Sequence, residues 1–361
     1  MPPAPGPRRR WRRALGVASS LLIVGFLVSP LGCYLSRAGW EEAKILARRR
    51  PIAELVADSA TDPATRGKLR LVLQARAFAR DSVGLRVNQS FTTYSRLDRD
   101  TLVLNVSAAY RDQLRRYTWW FPVVGRVPYK GYFDFDDARR LGRELEARGL
   151  DVYLWPAAAF STLGVFNDPL LPTTLREDSL DLASTVIHEL THNTFYARGG
   201  AVFNESFAEF VGARGAAWFF RARGDTAAEA EVLARWSDQK VIGRFWEATY
   251  QALDSAFKAH PEDRVARLSA RDTIFARARR ELVFDYGPRL RTVGPRALER
   301  FRLDNAILLM RRVYNTELGL FDAVLAREGG DLRRAVARII AVAKDAPEDP
   351  FGALRRWVAG R

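Results

Sequence analysis

The sequence predicts an α+β protein, with a β-containing N-terminal half packed on a mostly helical C-terminal half. Two patterns carry that reading. Short runs rich in β-branched and aromatic residues, bounded by Gly, Pro and Asp, crowd residues 89–166. After Pro172, apolar residues recur at three- and four-residue spacing almost to the C-terminus. With 361 residues, 48% of them hydrophobic, the chain can enclose a sizeable core, and no internal repeat or low-complexity linker divides it. Strands and helices segregated along a chain in this way give an α+β architecture rather than an alternating α/β one.

Taken in order, the first segment is a basic run, RRRWRR, followed by the apolar stretch 14–28 and then SPLGC. Basic flank, apolar centre and small residues at the end make a secretory signal. Cys33, the single cysteine, directly follows Gly32, where a bacterial lipoprotein signal places its lipidated residue, although Pro30 departs from the usual leucine. The alternative is an uncleaved anchor. Both export the chain and tether it to a membrane, so a periplasm-facing envelope protein is expected. A lone cysteine suits an exported protein that makes no disulfides. Residues 1–33 are thus set apart as signal or anchor, 34–175 as the mixed α/β half and 176–361 as the helical half.

Residues 51–59 and 63–85 predict two helices. TLVLNVSAAY (101–110), YTWWFPVV (117–124), RVPYKGYF (126–133) and DVYLW (151–155) predict strands. They are interrupted by one helix over 134–149, opened by acids and closed by Gly149. AFSTLGVFNDP (159–169) predicts one more strand, ended by Asn167-Asp168-Pro169.

The net charge of +15 is diffuse. Five arginines (Arg8, Arg9, Arg10, Arg12 and Arg13) lie in the first thirteen residues, and most of the remaining positive charge alternates with acids on helical faces. No basic stripe with interleaved aromatics occurs, which argues against a nucleic-acid partner.

The chemistry concentrates in STVIHELTHNTFYARGG. Only three histidines occur in the chain, and two of them, His188 and His192, stand in an HExxH pattern. Residues four apart share a helix face, so both imidazoles can reach one zinc ion. Glu189 projects beside them, placed to take a proton from a water activated by that metal. Asp178 can cap this helix, Leu182, Val186 and Leu190 give it an apolar row, and Gly199-Gly200 can stop it. His260 sits among charges and reads as a surface residue. A catalytic zinc needs a third protein ligand. With no third histidine following, Glu205 in NESFAEF is the candidate, on a second helix that returns after the glycine pair. Glu209, one turn on, can hold the outer nitrogen of a metal-bound imidazole.

HELTH followed by Asn204-Glu205-Ser206-Phe207-Ala208 resembles the gluzincin class of zinc peptidases. More closely, the chain resembles a bacterial family of predicted lipoprotein aminopeptidases. That likeness runs from GCYLSRAGWEEAKIL through WWFPVVGRVPYKGYFD and STLGVFNDPLL to RLDNAILLMRRVYNTELGLFDAVLAREGGDL. The resemblance implies a zincin-like catalytic core, one zinc per chain, a peptide substrate and an envelope location. It also implies a downstream residue that stabilises the oxyanion: Tyr314 matches a recurrent tyrosine of the family, with Tyr286 and Tyr250 behind it. Tyr129, Lys130 and Tyr132 are candidates to line the cleft. The Gly-x-Met-Glu-Asn motif with which gluzincin aminopeptidases bind the substrate amine is missing, and Asp168 is the substitute considered. Two other readings stay open: an endopeptidase with the same site, and a non-catalytic envelope interaction protein that retains the fold.

Overall fold

A computed structural model describes residues 30–96, 103–121, 125–156 and 169–360. The basic run, the apolar stretch 14–28, nearly all of the strand expected over 159–169, and Asp168 lie outside the described residues. The chain divides into two units, 1–49 and 50–361. In the first, helix α1 (Pro30–Ala47) carries Cys33 in its first turn, exposed. Among the described residues no helix is long and apolar enough to cross a membrane.

In the second unit, α2 (Ile52–Ala57) and α3 (Pro63–Phe78) fall where the periodicity places two helices. Asp62 starts α3 by accepting a bond from the Thr65 amide, ahead of a proline at the first helical position. Beyond them lies a three-stranded antiparallel sheet. β1 (Leu104–Tyr110) is central, flanked by β2 (Lys130–Tyr132) and β3 (Leu150–Pro156). Leu104 faces Tyr132 on one side and Pro156 on the other, and the longer pairing runs to Tyr110 opposite Leu150. The run 126–133, expected as one strand, splits: Gly125–Val127 pairs with Trp119–Phe121 in a separate hairpin, and β2 follows after a bend at Pro128.

Strand alternation lets both faces of this sheet be covered. Val106, Ala108 and Val152 point to α4 (Phe135–Ala147), where they bury Ala138 and Leu145. Ala109 points the other way, to a helix introduced below. Asp134 caps α4 by accepting from the Asp136 and Asp137 amides, as the acid-opened helix predicts.

The helical half is built around α5 (Ser179–Thr194) and α6 (Ala201–Ala222). Asp178 caps α5, accepting from the amides of Leu180 and Asp181 at 2.9 Å. Leu182, Val186 and Leu190 are fully buried as one row, against Phe203, Phe207 and Phe210 of α6. The helix stops at Thr194, well before the glycine pair expected to end it. Phe195 turns extended (φ −151°, ψ 136°), and its ring meets those of Phe203 and Phe207 at 6.5 Å. Burying an aromatic ring against two others outweighs one more helical turn. Long helix α7 (Thr226–Ala259), α8 (Arg264–Glu281) and α9 (Asn305–Tyr314) close a second core of Phe245, Trp246, Leu253, Phe275 and Leu308. α9 also lays Ala306 and Leu309 on Ala109, so it ties the sheet to the helices. The architecture is α+β as expected: small antiparallel sheets in the N-terminal part and a mostly helical C-terminal half.

Candidate metal centre

Close approach of α5 and α6 is what creates the site. A Cβ on Gly212 would stand 2.8 Å from the Ser184 carbonyl oxygen and 3.1 Å from His188 Cβ. A Cβ on Gly215 would stand 2.9 Å from Ile187 Cγ2. Only glycine at these positions lets the second helix lie against the first beside its histidines. The return itself uses the connection 195–200, clamped from inside α6 by Asn204. Its amide nitrogen donates to the Ala197 carbonyl at 2.8 Å, and its oxygen accepts from the Ala197 amide at 2.9 Å. Asn204 is buried, so these two bonds satisfy it while fixing where the next residue, Glu205, begins its turn.

With that register, three side chains converge. Nε2 of His188 and Nε2 of His192 are 3.3 Å apart. Glu205 Oε2 lies 3.4 Å from the first and 3.6 Å from the second. Four ligands around zinc at ~2.0–2.1 Å in a tetrahedron sit about 3.3–3.4 Å from one another. The triangle matches three corners of that figure, with a fourth left for water or substrate. At that distance the two imidazole nitrogens can share a proton or, together with Glu205, a cation. His188, His192 and Glu205 are a group that could hold a metal ion.

Electrostatics agree. Burial drives the His188 pKa down, but the hydrogen bond with Glu205 and the charges of Glu209 and Glu189 outweigh it, raising the pKa to about 9. Glu205 is pushed up by burial, yet its bonds to both histidines bring it down to about 2. Without metal, a proton on His188 therefore fills the place of the cation. Metal must displace it, so apparent affinity should climb about tenfold per pH unit up to about pH 9 and then level off. Titration against a competing chelator from pH 6 to 10 checks this. A flat profile below pH 8 would mean that no shared proton holds the site.

Around the triad, Glu209 Oε1 lies 3.8 Å from His188 Nδ1, beyond a direct hydrogen bond, and Gln239 Nε2 donates to its other oxygen at 2.8 Å. Glu189 stands on α5 beside His188, half-buried. Tyr314 ends α9. The turn after it is held by Ser206 of α6, which donates to the Val313 carbonyl at 3.2 Å and accepts from the Thr316 amide at 3.1 Å. Because Ser206 adjoins Glu205, this grip brings Tyr314 to the metal group. Burial and then the charges of Glu205 and Glu209 push its phenol far above the usual range. Tyr129, just before β2, is raised likewise by burial, Glu205 and Tyr196. Of the alternatives to Tyr314, Tyr250 lies under the Arg312 guanidinium at 3.5 Å, and Tyr286 packs on Phe245 in the second core. His260 is exposed at the end of α7.

Several of these contributors carry no motif. Gln239 comes from α7, thirty residues from its partner, and Tyr196 lies in the connection, its ring 6.5 Å from that of His192. The glycine pair three apart, Gly212 and Gly215, is the signal in the sequence that this face of α6 packs closely on another helix. No curated protein and no solved structure matches the chain. A family model described as "Putative aminopeptidase" matches residues 33–352, nearly the whole chain, and the protein belongs to that family.

Proposed function

We propose that this chain is a zinc-dependent peptidase that removes residues from the N-terminus of peptides, held at the membrane of a cell envelope. The observation that carries the catalytic part is the triangle of His188, His192 and Glu205, with sides of 3.3–3.6 Å. Two imidazoles and one carboxylate are a common donor set for catalytic zinc. When bound, zinc supplies Lewis acidity, polarising the scissile carbonyl and acidifying water.

The protein's own groups do the rest. Glu189, beside His188 on the same helix, takes the proton from the attacking water and delivers it to the leaving amine. Glu209, steadied by Gln239, sets a negative charge 3.8 Å from the outer nitrogen of His188 and so favours a proton on that nitrogen, leaving the inner one for the metal. Tyr314, kept protonated by burial and by neighbouring carboxylates, donates its hydroxyl proton in a hydrogen bond to the developing oxyanion. Tyr314→Phe should lower kcat by about 10²–10³ with little change in KM, the effect of losing one such donor. Steady-state kinetics decides it, and an unchanged kcat would remove the tyrosine from the reaction.

Envelope location rests on the basic run, the apolar stretch 14–28 and Cys33, which together fit a lipoprotein signal. The test of the activity is cleavage mapping by mass spectrometry on a peptide mixture, half of it N-acetylated. Zinc-dependent trimming of free N-termini alone supports the aminopeptidase reading. Internal cuts in both halves would point to an endopeptidase, and no cleavage to an envelope interaction protein.

A further inference from the structure

An enzyme that acts at a free N-terminus must recognise an ammonium group two bonds from the carbonyl it attacks, and a carboxylate without a cation is the chemistry that does so. The metal-facing side of α5 leads to one. Thr185 lies three residues before His188 and four before Glu189, on the same side of the helix. Its hydroxyl donates to Glu177 Oε2 at 2.8 Å. Glu177 stands just ahead of the helix cap, eight residues before Thr185, so this bond ties the segment that enters α5 to that side of the helix. Side chains on a helix lean toward its N-terminus, so Glu189 leans back toward Thr185, and neighbours four apart have Cβ atoms about 5–6 Å from each other. The Thr185 bond thus brings the Glu177 carboxylate to the side of α5 that carries Glu189, whose charge bears on it.

Among the described residues, two cations near the start of α5 are engaged by other groups. Arg235 binds Asp178 at 2.8 Å and Asp181 at 2.7 Å. Lys68 spends its ammonium on the backbone carbonyls of Leu175 and Glu177. Among the described residues, none makes an ion pair with the Glu177 carboxylate. Burial, against the Thr185 bond and together with the charges of Asp181, Asp178 and Glu189, raises its pKa to about 7. A half-buried acid among other acids favours a cation that arrives with the ligand.

We propose that Glu177 receives the substrate's α-ammonium, held in place by Thr185, and so sets the reaction register at the N-terminal residue. It is a positioning residue, and it fills the role for which the sequence offers no Gly-x-Met-Glu-Asn motif. This rests on the peptidase reading above.

The test compares two hydroxamates on the zinc-loaded protein by calorimetry: leucine hydroxamate and its des-amino counterpart, which differ only in the amine. Wild type should bind the amine-bearing compound at least tenfold more tightly. Glu177→Gln should erase that ratio while zinc content and Tm stay at wild-type values, and Thr185→Val should reduce it. Asp181→Asn, an acid on the same helix face but tied to Arg235, should leave it unchanged. Equal binding of both compounds by wild type, or a ratio that survives Glu177→Gln, overturns the assignment of Glu177 while leaving the metal site standing. Binding of neither hydroxamate overturns the metal-site reading, and this one with it.

Discussion

Glu189→Gln is expected to leave the zinc content and substrate affinity of the protein intact and to lower kcat by about 10²–10⁴, the range for losing a positioned general base. That factor corresponds to about 3–5.5 kcal/mol of transition-state stabilisation. The reasoning is positional. Glu189 adjoins His188 on α5, yet the three atoms that could ligate a metal come from His188, His192 and Glu205. Amide for carboxylate is nearly isosteric, so the helix, the triad and the approach of α6 at Gly212 are undisturbed. Only the capacity to accept a proton goes. Metal content by elemental analysis and single-turnover kinetics separate the outcomes. Normal turnover would end the general-base assignment, whereas lost zinc would show that Glu189 helps to hold the metal.

Glu205→Ala should act on the other side of that division. The carboxylate is the third corner of the triangle, 3.4 and 3.6 Å from the two imidazole nitrogens. Its bonds with both histidines also hold its pKa down at about 2. Its removal leaves two ligands on one helix and nothing from α6. Losing an outer partner of a ligand typically costs 10–100-fold in metal affinity. Losing the ligand itself should cost more than about 100-fold, and activity should fall with occupancy. Because His188 also loses its bonded anion, its pKa should drop, and the affinity–pH profile should level off at a lower pH than in wild type. Chelator competition measures both effects. Unchanged zinc affinity would take Glu205 out of the ligand set.

Much of the site was legible because its chemistry is local. His188 and His192 are brought together by helical spacing alone, which any helix over 179–194 delivers. Asp178 signals the start of that helix by a capping bond within three residues. Glu205 could be inferred because a short connection bounds how far α6 can stray. The end of α5 is not at the glycine pair, because the chain leaves the helix at Thr194, where the Phe195 ring packs on Phe203 and Phe207 across the turn.

The sequence by itself therefore determined the α+β class, the cap and apolar row of α5, and the spacing that puts two imidazoles and a base on one face. Each follows from interactions between residues within a few positions of one another. Tertiary structure alone decided which carboxylates and phenols join them. Ser206 grips the end of α9 from 107 residues away and brings Tyr314 in, and Gln239 reaches Glu209 from a third helix. The Glu177 carboxylate meets the Thr185 hydroxyl of α5. Gly212 and Gly215 permit a close approach, but which helix approaches, and in what register, is decided only when whole helices pack.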